Sequence, residues 1–214
     1  MKPTDKSKVK RAPKRGHYDK ETIYQILDAS QICHIAFVHN GLPVSIPTIF
    51  GRSGDKLYIH GATVSRMIVE LEKGLDLSLS VAHVDGLVLA RSAFHHSMNY
   101  RSVVLFGKAK LVPVDQANDA LKAISDHLIP GRWEEVREPT VKELKATKVL
   151  EISIDEASAK IRTGGPIDDK EDYDLDIWAG VLPFKTIVEN PIADEKLKAG
   201  LEVPKSVKSL LGKP

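Results

Sequence analysis

Cysteine and long apolar runs are nearly absent from this chain, and each absence narrows the class of protein. Cys33 is the single cysteine among 214 residues, so no internal disulfide can form and a reducing compartment is expected. No apolar run approaches the roughly 20 residues that a membrane-spanning helix needs. The first 20 residues are polar and basic, without the apolar core of a signal peptide. These features predict a cytoplasmic protein with no membrane partner.

Several sequence motifs for cofactors and metals are missing as well. The chain has no G-x-G-x-x-G, no Walker A motif and no H-E-x-x-H, which argues against a Rossmann fold, a P-loop and a zinc protease. The histidine pair His95-His96 would point to opposite sides of an extended chain. Because the lone cysteine offers no thiolate pair either, the sequence predicts no metal site.

Positive charge is concentrated at the start of the chain. Residues 1–20 hold eight of the 31 basic residues and two of the 29 acidic residues, which leaves 23 basic against 27 acidic in the remainder. Such a body lacks the basic face that nucleic-acid binding requires. We therefore expect no nucleic-acid partner, and residues 1–15 are predicted to form a disordered basic arm.

Alternation of apolar and polar residues predicts a protein built mainly of β-strands. The predicted strands cover residues 32–38, 44–50, 56–60, 75–82, 87–94 and 100–112, followed by 148–154 and 158–162 as a strand pair or one bent strand. The predicted helices cover 19–29, 61–74, 115–129 and 139–146, with Asp19 as an N-cap and a capping box formed by Thr140 and Glu143. This mainly antiparallel order with inserted helices indicates the α+β class, as a barrel of six or seven strands with peripheral helices. Residues 16–184 are assigned to this barrel, and 185–214 to a C-terminal tail that packs on the barrel or on a partner subunit.

Turn residues refine this picture. The tripeptide at 39–41, His-Asn-Gly, predicts a tight hairpin, and the Asp-Gly pair at 85–86 predicts a turn between two separate strands. Gly107 predicts a β-bulge within the long strand that follows. Pro43 and Pro47 cannot donate to a β-ladder, so their strand is predicted to lie at an edge or to be bulged.

The segment from His60 to Arg66 is the best candidate for binding a phosphate group. A predicted strand leads to Gly61, hydroxyl residues follow, and a helix then begins with unpaired N–H groups. Arg66 adds a planar guanidinium that matches the geometry of phosphate. The same pattern also fits an ordinary strand–helix junction with a surface arginine, and these residues alone do not decide between the two.

Arginines within apolar strands and an isolated tryptophan supply further candidates. Arg91 and Arg101, each followed by serine, must reach an anion or solvent because an unpaired buried charge is costly. Two such contacts contribute roughly 3–6 kcal/mol. Micromolar affinity needs roughly 8 kcal/mol, so a ring system would have to pack on apolar residues as well. Trp178 is an aromatic anchor for packing on the body or on a second subunit.

Taken together, these segments resemble the FMN-binding split-barrel proteins related to pyridoxamine 5′-phosphate oxidase. The branch most similar is the flavin-nucleotide-binding one that includes nitroimidazole-resistance proteins. The resemblance spans roughly residues 14–184, and the matching segments are 32–36, 41–43 with 46–47, 57–62, 85–103, 130–133, 160–162 and 178–180.

The resemblance implies a split barrel that forms a homodimer with FMN at the subunit interface. By this analogy Ser65 and Arg66 hold the 5′-phosphate with help from His60 or Arg101, and Trp178 approaches the ring from the partner chain. His60 is the candidate catalytic residue, as a donor or proton relay near the reactive face. The full set of candidate cofactor-binding residues is Ile46, Pro47, Thr48, His60, Gly61, Ser65, Arg66, Arg101, Ser102 and Trp178.

The leading functional hypothesis is an FMN-dependent oxidoreductase that moves electrons from a reduced nicotinamide to a small organic acceptor. A non-catalytic flavin carrier or sensor is the first alternative. Pyridoxamine 5′-phosphate oxidase activity is the second, although Met67 stands where that branch would have a phosphate-binding lysine. The third is a scaffold that binds heme or another planar ligand through His95 or His96.

Overall fold

The computed structural model describes residues 1–212, which contain ten β-strands and five α-helices. The strands are β1 Gly16–His17, β2 Ile32–His39, β3 Leu42–Ile49, β4 Gly51–Ser53, β5 Lys56–Ala62, β6 Asp76–Leu89, β7 Ser97–Leu111, β8 Thr147–Ser153, β9 Glu156–Arg162 and β10 Gly180–Pro183. The helices are α1 Lys20–Asp28, α2 Arg66–Leu71, α3 Ala117–Leu128, α4 Val141–Ala146 and α5 Lys205–Lys208. Every strand pair whose register is resolved is antiparallel, so the predicted α+β split-barrel class is confirmed.

The described part of the chain divides into two compact units. The first contains residues 1–48, 76–108 and 154–185, and the second contains 49–75, 109–153 and 186–212. The boundaries predicted from sequence, after residues 15 and 184, remain predictions. No helix within residues 1–212 combines the length and the apolar character that crossing a membrane requires.

The sheet of the first unit is organised around β6, which pairs with β2 on one side and β7 on the other. Alternate residues of these strands, among them Leu79 and Leu105, are fully buried and form the core. β3 lies at the end of the strand order, beyond β2. The edge position predicted from Pro43 and Pro47 is therefore confirmed, since an edge strand has a side on which no donor is required.

Residues 75–94 differ from their prediction. The Asp-Gly pair at 85–86 does not end a strand, because β6 runs without interruption from Asp76 to Leu89 and follows β7 along its length. A register shift between Val84 and Gly86 absorbs the pair as a β-bulge. The bulge predicted at Gly107 was wrong, because Gly107 pairs with Leu77 in a regular ladder.

Two local predictions near the start of the chain, a helix cap and a tight hairpin, are confirmed. Asp19 caps α1 by accepting a hydrogen bond from the backbone N–H of Thr22 at 2.8 Å. Asn40 and Gly41 adopt φ values of 51° and 77°, the left-handed conformation that a tight hairpin requires of both central residues. β2 and β3 therefore form the predicted hairpin.

The second unit is built on β5, which pairs with β4 and β8. Helix α3 packs on these strands through a small core of Val112, Ala120, Ile124 and Val149. The predicted capping box of α4 is present, with Thr140 and Glu143 each accepting a hydrogen bond from the backbone N–H of the other. Residues 147–153 and 156–162 form two separate strands, one in each unit.

Candidate functional site

Backbone hydrogen bonds define the junction between β5 and α2. β5 continues to Ala62, which pairs with Thr147, so the helix predicted from residue 61 begins only at Arg66. The N–H of Ser65 donates to the carbonyl of Ala62 at 2.9 Å and closes the turn. Ser65 is the N-cap of α2, but its hydroxyl makes no capping hydrogen bond. The hydroxyl and the first N–H groups of α2 are left without helical partners.

Arg66 and Gly61 complete this junction. Arg66 is exposed and makes no hydrogen bond or ion pair within residues 1–212. Gly61 packs closely on α2, because a Cβ at this position would lie 2.9 Å from Cγ1 of the fully buried Ile68. Because residue 61 has no side chain, the end of β5 can approach α2 closely. This packing fixes the position of Ser65 and Arg66 at the start of the helix.

His60 lines a cavity of about 440 Å³ within the second unit. The other lining residues are Leu121, Trp133, Arg137, Pro139, Glu143, Leu144 and Thr147. The Nδ1 atom of His60 is buried and has no hydrogen-bond partner within residues 1–212. Burial lowers the pKa of His60, so its imidazole is neutral at physiological pH. The cavity thus offers an unprotonated ring nitrogen among apolar and aromatic neighbours.

One wall of the cavity is charged but internally paired. The guanidinium of Arg137 donates to both carboxylate oxygens of Glu143 at 2.8 and 2.6 Å. The hydrogen bond from Arg137, followed by those from Thr140, lowers the pKa of Glu143 to about 2. Arg137 is exposed, so it can exchange this partner for a ligand anion at modest cost.

The turn that carries Trp133 is held by the C-terminal helix. Glu135 ends this turn and accepts hydrogen bonds from the N–H and the hydroxyl of Ser206. Ser206 is buried at the start of α5. Within the second unit, α5 therefore fixes the position of the aromatic wall of the cavity.

The candidates on β6 and β7 have partners within the first unit. Arg101 donates three hydrogen bonds to the carboxylate of Asp85, at 2.8, 2.9 and 3.2 Å. Hydrogen bonding from the Arg101 side chain is the largest cause of the lowered pKa of Asp85. Ser102 donates its hydroxyl to the carbonyl of Lys160 at 3.3 Å. Both side chains are half-buried, and Arg101 already has a counter-charge.

The remaining candidates lie on exposed parts of the first unit. Ile46 and Thr48 are half-buried on the edge strand β3, and Pro47 between them is exposed. Trp178 is 69% exposed, with its ring against the backbone of Gly180. An aromatic ring this exposed in a single chain is available for contact with a ligand or another subunit.

The structure thus brings His60, Gly61, Ser65 and Arg66 together at one junction. The other six candidates, Ile46, Pro47, Thr48, Arg101, Ser102 and Trp178, belong to the first unit. Their joint participation in one flavin site remains a prediction. The cavity walls were not identified from the sequence, because Leu121, Trp133 and Leu144 come from separate elements. The only available signal was Trp133 in the matching segment 130–133.

Comparison with known proteins provides an independent test of the resemblance. The family described as pyridoxamine 5′-phosphate oxidase matches residues 19–161. Among curated proteins, none matches the chain. The flavocytochrome Anf3 from Azotobacter vinelandii is 42% identical, with 98% of this chain and 99% of that chain covered and a TM-score of 0.92.

Two further solved structures are similar to the chain. The FAD and heme binding protein from Mycobacterium smegmatis is 38% identical over 92% of this chain and 98% of that chain, with a TM-score of 0.90. A candidate 5-nitroimidazole antibiotic resistance protein from Bacteroides thetaiotaomicron is 21% identical over 68% of this chain and 86% of that chain, with a TM-score of 0.58. The last similarity shows a shared fold alone.

Proposed function

Because the chain belongs to the pyridoxamine 5′-phosphate oxidase family, we propose that it is a flavin-binding oxidoreductase that passes electrons from a reduced nicotinamide to a small organic acceptor. The observation that carries this proposal is the nearly full-length similarity to a flavocytochrome and to an FAD and heme binding protein. The second of these names FAD, so we propose FAD as the flavin instead of the FMN expected from the sequence.

We assign the phosphate end of the flavin to the β5–α2 junction. Ser65 offers a hydroxyl that does not cap its helix, and Arg66 offers a guanidinium without a protein partner within residues 1–212. Charge-assisted hydrogen bonds of this kind contribute about 1.5–3 kcal/mol each. Ile46, Pro47 and Thr48 on the edge strand are proposed to lie along the ring system, with Trp178 of a partner subunit approaching it.

A bound flavin would supply the electron-transfer chemistry, and the chain would bind and orient it. In this reading, the neutral imidazole of His60 accepts or returns a proton near the reacting groups. The lowered pKa of His60 leaves the ring unprotonated before the reaction, which is the state that can accept a proton.

The first test is the absorption spectrum of the purified protein, followed by mass measurement of the released chromophore. A flavin spectrum and the mass of FAD are expected. The mass of FMN would restore the expectation from the sequence, whereas protein that stays colourless after incubation with FAD and FMN would contradict flavin binding.

Turnover separates the enzymatic reading from its alternatives. Anaerobic mixing with NADH or NADPH should bleach the flavin spectrum, and a nitroaromatic or quinone acceptor should restore it. Flavin that is bound but never reduced would favour the non-catalytic carrier or sensor. Formation of pyridoxal phosphate and peroxide from pyridoxamine phosphate would instead identify the family's oxidase activity.

A homodimer is part of this proposal. Apolar side chains are exposed along one segment of the first unit, where Tyr173, Leu175, Ile177, Trp178, Leu182 and Phe184 are each 44–69% exposed. Exposed apolar residues clustered in this way are typical of a protein–protein interface. Light scattering coupled to gel filtration should give twice the chain mass of 23.6 kDa, and Trp178→Ala should shift the species toward the monomer.

The His60 cavity favours a second candidate function, that of a flavocytochrome. One of the similar structures is described as a flavocytochrome, and another is described as an FAD and heme binding protein. The cavity residues fit such a group, because Leu121, Trp133 and Leu144 offer apolar and aromatic contact and His60 a neutral imidazole. His60 would hold the iron and Arg137 would pair with a propionate.

A heme assay with histidine variants decides this point. Protein expressed with added heme precursor should show the pyridine hemochrome spectrum, and His60→Ala should abolish it. His95→Ala and His96→Ala are matched controls, because His95 already contacts Asp169 and Nδ1 of His96 accepts the N–H of Ala90. Loss of heme in these controls but not in His60→Ala would instead assign heme binding to His95 or His96, the alternative predicted from the sequence.

A further inference from the structure

Two 3-10 turns of the first unit bring three metal-ligating side chains together. His95 ends the turn Ala93–His95, while Asp169 directly precedes the turn Lys170–Asp174 and Asp172 lies within it. One ligand atom from each of the three side chains lies within 4.8 Å of the other two. The Nε2 atom of His95 is 3.2 Å from Oδ2 of Asp169. The backbone N–H of Asp172 donates to the carbonyl of Asp169 at 3.0 Å, which holds the two aspartates one 3-10 turn apart.

Arg91 ties the two turns together without using any of these ligand atoms. Its backbone N–H donates to Oδ1 of Asp168 at 2.9 Å, and its guanidinium donates to Oδ2 at 3.0 Å. The same guanidinium lies 4.9 Å from the ring centroid of Tyr173. The side chain of Asp168 is fully buried. The chain on both sides of the two aspartates is therefore fixed close to the turn that ends at His95.

The charge around the three side chains is strongly negative. Residues 168–176 contain six carboxylates and one lysine. Arg91 neutralises Asp168, but no lysine or arginine within residues 1–212 forms an ion pair with Asp169 or Asp172. Uncompensated carboxylates that converge beside an imidazole attract a divalent cation and repel one another without it.

We propose that His95, Asp169 and Asp172 form a binding site for a divalent first-row transition-metal ion, with Zn²⁺ as the expected ion. One imidazole nitrogen and two carboxylate oxygens are ligands that Zn²⁺ accepts, and three protein ligands leave a coordination position to water. The sequence predicted no metal site because the histidines were considered alone. The first carboxylate follows His95 by 74 residues, a spacing that no short motif records.

Equilibrium dialysis with zinc chloride tests the proposal on the purified full chain. One ion per chain is expected to bind, and His95→Ala and Asp172→Asn should each weaken binding at least about tenfold, since even the loss of an outer partner of a metal site costs 10–100-fold. Substitution with Co²⁺ should give a visible ligand-field spectrum that the same two variants lose. Neither readout depends on flavin binding or on enzymatic activity.

A matched variant separates coordination from general attraction to acidic residues. Asp174→Asn removes the same charge from the same turn but leaves the three ligands intact, so zinc affinity should stay within about twofold. Equal weakening by Asp174→Asn and Asp172→Asn would overturn the site, as would wild-type protein that binds no zinc. Circular dichroism of each variant checks that the fold is retained, and Asp172→Asn should not disturb it because no ion pair is removed.

Discussion

Three arginines of the first unit and Arg66 of the second unit differ in what they contact. Arg91 and Arg101 each donate to a carboxylate, that of Asp168 and of Asp85 respectively. Arg162 is only 6% exposed, and its guanidinium donates to the side-chain oxygen of Asn99 and to the carbonyls of Gly164 and Gly165. Arg66 is exposed and contacts no partner within residues 1–212.

This difference separates arginines that stabilise the fold from one that can bind a ligand. A guanidinium with a protein carboxylate must give up that partner before it can hold a phosphate, which offsets part of the gain. Burial also lowers the pKa of Arg162, so that group is already costly to keep charged. Among these four arginines, Arg66 can bind an anion without first breaking an interaction.

The largest expected effect is a loss of stability when Gly86, a glycine of the first unit, is replaced. A Cβ at residue 86 would lie 2.7 Å from the backbone oxygen of Leu182, so Gly86→Ala must displace β10 from the bulge. We expect a loss of about 2–3 kcal/mol in the free energy of unfolding. Gly61→Ala meets the side chain of Ile68 and no backbone atom, so it should cost less, about 1 kcal/mol. Urea denaturation measures both, and equal losses would contradict the stated packing.

The next prediction tests the free arginine directly. Arg66→Gln should weaken flavin binding about 10- to 100-fold, because one charge-assisted contact of about 1.5–3 kcal/mol is lost. Arg66→Lys keeps the charge but not the planar fork, so its loss should be smaller. Quenching of flavin fluorescence gives the dissociation constants. Unfolding by urea should be unchanged, and an unaltered flavin affinity in Arg66→Gln would refute the assignment.

Arg101→Gln should show the opposite pattern. The free energy of unfolding should fall, whereas flavin affinity should stay within about twofold of the wild type. Arg101 and Asp85 are each about one-third exposed, so the pair contributes on the order of 1 kcal/mol. The pKa of Asp85 lies below its ordinary value near 3.8, so this contribution is present above that value and lost as pH falls through the lowered pKa.

The stability difference between wild type and Arg101→Gln should therefore be full at neutral pH and vanish in strong acid. Asp85→Asn should show the same loss, and the double variant should lose no more than either single one. A marked drop in flavin affinity for Arg101→Gln would show that Arg101 binds the ligand in spite of its partner.

The sequence predicted those features that depend on neighbouring residues. Asp19 and Thr140 are caps because a short side chain can reach an N–H three residues ahead, and such a contact is visible in the sequence. The edge position of β3 followed equally from two prolines. These are local constraints, and the surrounding fold did not override them.

The predictions that were wrong concern residues whose structure depends on a partner far away in the sequence. The Asp-Gly pair at 85–86 has the composition of a turn, but β7 offers a continuous ladder across it, so a bulge replaced the hairpin. The partners of Arg91 and Arg101 could not be assigned for the same reason. Asp168 lies 77 residues after Arg91, and only the assembled sheet brings the two together.

His60 provides the last and smallest test, one of electrostatics in the second unit. Burial lowers its pKa below the ordinary value of 6.5, so the unfolded chain binds a proton at a higher pH than the folded chain does. Stability should therefore be highest above that value and fall as pH drops toward the lowered pKa, below which the loss is complete. His60→Gln cannot titrate and should lack this slope.

Urea denaturation of the ligand-free protein between pH 7.5 and roughly pH 5 measures the difference, since the unperturbed histidine pKa of about 6.5 falls in this window. A slope that persists in His60→Gln would mean that another group carries the pH dependence. The slope should also steepen when a ligand occupies the cavity through the imidazole, because protonation then competes with binding as well as with folding. That coupling would distinguish a histidine that serves a ligand from one that is merely buried.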